Sequence, residues 1–128
     1  MRILTTIVIV DDEEEILTAL EQMLSGEGYV VKAFSSSKEA ESYLKTKTAD
    51  LAVFDIKMPE LDGFSLLKSV RVHRPSLPII FLSSKAEEQD QIIGFTLGAD
   101  DYITKPFSKH LLLMRVAAVL RRHRSQDV

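Results

Sequence analysis

The sequence predicts a doubly wound three-layer α/β domain with a parallel five-stranded sheet, and three observations lead to it. Five short apolar runs rich in β-branched residues alternate with five longer amphipathic stretches. The runs are almost continuously apolar, which is typical of parallel strands covered on both faces. The chain has 128 residues, about half the length of a (β/α)8 barrel. We therefore expect an open sheet with helices on both sides.

The predicted strands and helices follow one another without a low-complexity linker. The strands are expected at Leu4–Val10, Tyr29–Phe34, Leu51–Phe54, Leu77–Leu82 and Tyr102–Ile103. The helices are expected at Glu14–Ser25, Ser37–Thr46, Gly63–Val72, Glu87–Leu97 and Ser108–Arg122. Gly26 and Gly28 can end the first helix, and Ser36 with Glu39 fits a capping box for the second. We expect one domain over residues 1–123, with 124–128 as the start of a linker or tail.

Composition and charge exclude several classes of protein. The chain is 45% apolar and 27% charged, too apolar for a disordered protein, and it has no cysteine for disulfides or thiolate metal sites. A cytoplasmic location is therefore expected. The apolar segment Met1–Val10 is too short to span a membrane and runs into an acidic block, so no membrane association is expected. The net charge of −3 argues against a nucleic-acid surface over the whole domain.

Polar residues whose side chains can bind ligands or react follow four of the five predicted strands. Asp11 and Asp12 end the first strand, Asp55 follows the third, Ser83 the fourth and Lys105 the fifth. Each alone has an ordinary interpretation, because an aspartate after a strand usually caps a helix and a lysine is usually a surface charge. The carboxyl ends of parallel strands, however, meet at one edge of a sheet. We therefore expect these five residues to form one site.

The three predicted carboxylates indicate a metal site. Carboxylates packed together repel one another, so they need a cation or a raised pKa at neutral pH. A set of oxygen ligands with room for water is typical of Mg²⁺, with Mn²⁺ as a substitute. Zn²⁺ is not expected, since no histidine or cysteine accompanies them.

The same residues have the parts needed for phosphoryl transfer to an aspartate. Asp55 would be the nucleophile, while Lys105 would neutralise one phosphoryl oxygen and Ser83 would hydrogen-bond another. Because an ionised carboxylate is already nucleophilic, no general base is required.

Four segments resemble the receiver domain of bacterial two-component response regulators. They are IVIVDDE, FDIKMPELDG, FLSS and GADDYITKPF, and the resemblance runs from Ile7 to about Arg122. The last of them and the ending RVAAVLRR are most similar to the subfamily with a C-terminal winged-helix DNA-binding domain. The resemblance implies a flavodoxin-like sheet with strand order 2-1-3-4-5. It also implies the regulatory part of a transcriptional regulator that contacts DNA only through such a domain, which this sequence does not contain.

The resemblance implies a role for individual residues of the site. Asp55 would accept the phosphoryl group from a sensor histidine kinase. Asp12 would contact Mg²⁺, with Asp11 acting through water and the backbone carbonyl of Lys57 as a further ligand.

Three further residues take roles from the resemblance. Ser83 and Tyr102 would form a switch pair, in which the hydroxyl turns to the phosphoryl group and the ring turns inward. The Lys105–Pro106 peptide bond would be cis.

A phosphorylation-dependent homodimer through the fourth helix, fifth strand and fifth helix is also implied. Asp100, Asp101, Arg115 and Arg122 match parts of the ion-pair network of that face, whereas Leu111 stands where a charged residue is usual. Since the stretch from residue 110 to 114 is mostly apolar, we expect a more hydrophobic contact through Leu111 and its neighbours. The alternative is that a further domain covers this helix.

Two other functions remain open from the sequence. A Mg²⁺-dependent aspartyl-phosphate phosphatase or phosphotransferase would also use Asp55, but such enzymes commonly carry an acid two residues later, where this chain has Lys57. A phosphate-independent structural receiver would not need the acidic pair or Lys105. We therefore expect a switch that catalyses only its own phosphorylation and dephosphorylation.

Overall fold

The computed structural model describes residues 4–84 and 88–126, in which five strands alternate with five helices. The strands are β1 Thr6–Val10, β2 Val30–Phe34, β3 Leu51–Phe54, β4 Ile79–Ser83 and β5 Asp101–Thr104. The helices are α1 Glu14–Ser25, α2 Ser37–Thr46, α3 Gly63–His73, α4 Glu88–Thr96 and α5 Lys109–Gln126. All strand pairs are parallel, and the order is β2-β1-β3-β4-β5. The predicted fold class and strand order are confirmed.

Some predicted boundaries were wrong, and for the strands the reason lies in their pairing. β1 begins at Thr6 rather than Leu4, because its first pairing is with Val30. β4 begins after Pro78, and it extends to Ser83 because Ser83 pairs with Thr104. The predicted start of the fourth helix at Glu87 lies outside the described residues. The last helix continues four residues beyond the predicted end at Arg122, to Gln126.

The core forms two layers, one on each face of the sheet. Val8, Val10 and Phe54 pack on one face with residues of α2 and α3, which are Ala40, Leu44, Leu66, Leu67 and Val70. Ile7 and Ile9 pack on the other face with residues of α1 and α5, which are Leu17, Leu20, Leu24, Leu112, Val116, Val119 and Leu120. Alternate residues of β1 thus point to opposite layers, as the pleat of a strand requires.

Backbone hydrogen bonds extend the sheet beyond the strand ends and fix the residues that follow them. The Asp55 N–H donates to the Val10 carbonyl at 2.9 Å, and the Lys105 N–H donates to the Ser83 carbonyl at 2.8 Å. The residue after β3 is therefore held against β1, and the residue after β5 against β4. These hydrogen bonds fix the backbone positions from which the side chains of Asp55 and Lys105 extend at the carboxyl edge of the sheet.

Gly63 allows helix α3 to begin directly against the end of β3. Its N–H donates to the Ile56 carbonyl at 2.7 Å, and a Cβ at this position would lie 2.8 Å from the Cα of Ile56. Only a residue without a side chain fits this approach. Asp62 caps the helix, since its Oδ1 accepts from the Ser65 N–H at 2.8 Å.

Across the described part of the chain, no helix is both long enough and apolar enough to cross a membrane.

Candidate functional site

Three carboxylates meet at the carboxyl edge of the sheet, after β1 and β3. Asp11, Asp12 and Asp55 each offer an oxygen within 4.8 Å of the others. Asp11 and Asp55 are 1% and 5% exposed, whereas Asp12 faces solvent. An oxygen-only set that is buried on one side and open on the other fits a hard cation that keeps part of its water shell, such as Mg²⁺. The residues therefore fit the predicted metal.

Backbone N–H groups orient the two buried carboxylates. Asp11 Oδ1 accepts from the Glu13 N–H at 2.9 Å, and Asp55 Oδ1 accepts from the Ile56 N–H at 2.8 Å. In each aspartate the other oxygen, Oδ2, pairs with the ammonium group of Lys105.

The ammonium group of Lys105 lies among these carboxylates. Its Nζ is 2.8 Å from Asp11 Oδ2, 3.6 Å from Asp55 Oδ2 and 3.6 Å from Glu13 Oε1. The Lys105–Pro106 peptide bond is cis. The structure thus brings together residues that lie 94 positions apart in the chain, as the strand-end argument predicted.

The charges in the site shift the pKa of both principal groups. Burial, followed by the negative charge of Asp11, raises the pKa of Asp55 to about 6, although Lys105 and the Ile56 N–H lower it. Burial alone would lower the pKa of Lys105, but the hydrogen bond to Asp11 and the surrounding carboxylates raise it. At neutral pH the lysine is therefore charged and Asp55 is mostly ionised, at a free-energy cost that a bound cation would relieve.

A cleft of about 440 Å³ opens above Asp55 and gives access to the site. It is lined by Asp12, Glu13, Asp55, Lys57, Met58, Pro59 and Ser84. The side chain of Lys57 is exposed at this opening, while Ile56 and Met58 on either side of it are buried. A small phosphoryl donor can therefore reach Asp55 from solvent.

Ser83 on β4 and Tyr102 on the neighbouring strand β5 are in contact. Ser83 ends β4 and is 1% exposed, and its side chain hydrogen-bonds that of Tyr102 on β5. The Tyr102 ring is also buried, with ring centroids 6.2 Å from Phe81 and 6.5 Å from Phe95. Burial and the charge of Asp90 raise the pKa of Tyr102, although the hydrogen bond to Ser83 lowers it. This pair links the site to the exposed side of α4.

Glu13 and Ser84 were not assigned to the site from the sequence. Glu13 pairs with Lys105, and Ser84 lines the opening of the cleft. The position of Glu13 directly after the acidic pair was a usable signal. Ser84 offered no signal beyond its adjacency to Ser83.

The acidic residues of the predicted dimer face have partners within the chain. Asp101 Oδ1 is 2.8 Å from Arg115 Nη1. Asp100 lies 2.8 Å from His123 Nε2 and 4.0 Å from Arg71 Nη2, and its Oδ2 accepts from the Ile79 N–H at 2.9 Å.

The remaining residues of that face are exposed. Arg122 reaches the carbonyl of Asp100 only at 3.5 Å. Leu111 and Met114 on α5, and Ile92 and Phe95 on α4, are large apolar side chains with 40% to 56% of their surface exposed.

Comparisons with known proteins agree on one family. The family model described as "Response regulator receiver domain" matches residues 7–117. The alkaline phosphatase synthesis transcriptional regulatory protein PhoP of Bacillus subtilis is 45% identical over 91% of this chain and 48% of its own length. The regulatory protein VanRc of Enterococcus gallinarum is 42% identical over 91% of this chain and 50% of its own length. The chain thus spans about half the length of these relatives.

A solved structure shows the same likeness in three dimensions. The response regulator receiver domain protein (CheY-like) of Methanospirillum hungatei superposes with a TM-score of 0.92 at 31% identity, over 97% of this chain and 99% of that one. The carboxylates, Ser83, Tyr102 and Lys105 all lie inside the matched range of the family model. This chain belongs to the response regulator receiver domain family.

Proposed function

We propose that this receiver domain is a phosphorylation-activated switch that accepts a phosphoryl group on Asp55 from a sensor histidine kinase. The observation that carries the proposal is the Lys105 ammonium 3.6 Å from Asp55 Oδ2, beside three converging carboxylates. During transfer, the P–N bond of the kinase phosphohistidine breaks as an Asp55 oxygen bonds to phosphorus, and the imidazole leaves. Lys105 and Ser83 would bind phosphoryl oxygens.

The carboxylates of Asp11, Asp12 and Asp55, with the backbone carbonyl of Lys57, would hold Mg²⁺. Receiver domains of this family bind Mg²⁺ at such an acidic pocket, and Mn²⁺ is a suitable substitute. When bound, the ion supplies positive charge that offsets repulsion between the phosphoryl oxygens and the carboxylates.

The switch would act through Ser83 and Tyr102. A phosphoryl group adds about −1.5 to −2 charge at neutral pH. Rotation of the Ser83 hydroxyl toward it would break the present hydrogen bond with Tyr102. Because Tyr102 packs against the half-exposed Phe95, a change in its position would alter the surface of α4.

The full-length protein is proposed to be a cytoplasmic transcriptional regulator. PhoP, which this chain resembles, is described as a transcriptional regulatory protein. DNA contact would occur through a C-terminal domain. The receiver domain would end near residue 123, and residues 124–128 would be the start of the linker. Helix α5 runs across this boundary, to Gln126. The only reactions proposed for the receiver itself are its own phosphorylation and dephosphorylation.

Acetyl phosphate tests the proposal without a kinase. In the presence of Mg²⁺ we expect one adduct of about 80 Da per chain, the mass of one phosphoryl group, in intact-protein mass spectrometry. With EDTA in place of Mg²⁺ the adduct should be nearly absent, because carboxylate repulsion then opposes transfer. No adduct with Mg²⁺, or equal labelling with EDTA, would refute the proposal.

Phosphorylation is also proposed to favour a homodimer through α4, β5 and α5. Support comes from the exposed side chains of Leu111, Met114, Ile92 and Phe95, since an apolar patch of this kind commonly marks an interface. Beryllofluoride, a phosphoryl mimic, should increase the dimer fraction in sedimentation velocity. Leu111→Glu should remove the increase, and an unchanged dimer fraction in the native protein would contradict this face.

A further inference from the structure

Serine hydroxyls attach the N-terminus of α2 to the loop between β3 and α3, which spans residues 55–62. Ser37 is 1% exposed, and its hydroxyl donates to the Pro59 carbonyl at 3.2 Å. Ser36 donates to Glu60 Oε1 at 3.2 Å and accepts from the Glu39 N–H as the N-cap of α2. The N-cap of α2 and the first residue of the helix thus hold two consecutive residues of the loop, Glu60 and Pro59.

The centre of this loop needs such support. Its ends are fixed, because Ile56 is buried and its carbonyl accepts from the Gly63 N–H. Between them, Glu60 has a φ of 69°, in the left-handed region that residues other than glycine seldom adopt. A residue in this region persists where its surroundings hold it there. Within the loop the Leu61 N–H donates to the Pro59 carbonyl at 2.8 Å, and the contacts from α2 fall on the same Pro59 carbonyl and on Glu60.

The loop also carries Lys57, whose backbone carbonyl would be the neutral protein ligand of the proposed Mg²⁺ site, beside the three carboxylates. The sheet itself holds the backbone of Asp11 and Asp55, whose N–H groups donate to the carbonyls of Phe34 and Val10 at 3.1 and 2.9 Å. The position of the carbonyl depends instead on the loop. Mg²⁺ demands near-ideal octahedral geometry, so the order of the loop should affect affinity for the ion.

We propose that Ser37, assisted by Ser36 through Glu60, is a positioning residue that orders the β3–α3 loop and thereby strengthens Mg²⁺ binding. The inference rests on the proposed function, since it assumes that Mg²⁺ binds beside Asp55. Ser37 does not touch the site itself. It acts two residues away from Lys57, through the Pro59 carbonyl.

Titration calorimetry with Mg²⁺ tests this, and the chain offers a matched control. Ser69 on α3 also donates a hydroxyl hydrogen bond to α2, to Glu41 Oε2 at 2.6 Å, but it lies outside the loop. We expect Ser37→Ala to weaken Mg²⁺ binding about three- to tenfold, at or below the lower end of the range for partners that touch a ligand directly. Ser69→Ala should bind Mg²⁺ within about twofold of the native protein, although both variants lose one hydrogen bond.

Substitutions at exposed Glu60 provide a second comparison. They remain informative even if a change at buried Ser37 prevents folding. Glu60→Ala removes the acceptor of the Ser36 hydroxyl and should weaken Mg²⁺ binding, whereas Glu60→Gln keeps an acceptor and should not. Native affinity in Ser37→Ala and Glu60→Ala, or an equal loss in Ser69→Ala, would overturn the inference. Failure of the native protein to bind Mg²⁺ would instead contradict the proposed function.

Discussion

Replacing Lys105 with alanine is expected to slow phosphorylation of Asp55 about a hundredfold, the effect of losing one charge-stabilising donor. The ammonium lies 2.8 Å from Asp11 and 3.6 Å from Asp55, where it can neutralise an incoming phosphoryl oxygen. Without it, the ion pairs with Asp11 and Asp55 are lost, and repulsion between the carboxylates and the anionic donor is offset less. The measurement is the initial rate of adduct formation from acetyl phosphate at saturating Mg²⁺.

Lys109→Ala is the matched control for this substitution. Lys109 is the exposed first residue of α5, so its removal changes the net charge equally and leaves the site intact. Its rate should stay within about twofold of the native protein, as for ordinary surface changes. Equal rates for Lys105→Ala and Lys109→Ala would show that the lysine of the site takes no part in transfer.

Asp55→Asn is expected to abolish the adduct and, in metal-free protein, to stabilise the fold at pH 7. The pKa of Asp55 rises from its ordinary 3.8 to about 6 on folding, chiefly through burial. A raised carboxyl pKa contributes stability below about pH 4, and this contribution is lost as the pH rises through about 6. A shift of about two pKa units corresponds to about 3 kcal/mol, so the variant should be more stable at pH 7 by up to that amount.

Urea denaturation in EDTA measures this difference. The advantage of Asp55→Asn should be largest at pH 7 and shrink toward pH 4, where the carboxyl of Asp55 is protonated in the folded state and about half protonated in the unfolded state. Mg²⁺ should narrow the difference, because the ion binds the folded native sequence, with three carboxylates, more tightly than the folded variant, which keeps two. Asp50→Asn, at the other end of β3, is the matched control. It removes the same charge, and the amide oxygen of asparagine can still accept the hydrogen bond that Asp50 Oδ2 accepts from the Thr6 N–H. A difference independent of pH would contradict the cause assigned to the stabilisation.

The sequence predicted the fold well where local signals mark an element's ends. Helix α2 begins as predicted because Ser36 caps it, and β3 has the predicted bounds because Asp50 and Asp55 flank its apolar run. The end of β4 could not be predicted, since Ser83 belongs to the strand only through its pairing with Thr104. The end of α5 was missed because the basic residues after Arg122 carry no helix-stopping signal.

The site was predictable as far as the sheet alone determines it. Asp11, Asp55 and Lys105 follow parallel strands, so topology brings them together whatever lies between. Contacts between side chains of different elements carry no such rule. The pairing of Glu13 with Lys105 and the hydrogen bond from Ser37 to Pro59 depend on how loops and helices pack, and neither was predicted.

Locating the phosphoryl group on the chain tests the central claim most directly. Borohydride reduces an acyl phosphate to an alcohol, so a phosphorylated aspartate becomes homoserine, which tandem mass spectrometry of the peptides can place. After treatment with acetyl phosphate and Mg²⁺, we expect homoserine in place of Asp55 alone, in proportion to the phosphorylated fraction. Homoserine in place of Asp11 or Asp12, or a phosphoryl group recovered on a histidine, would contradict the role assigned to Asp55.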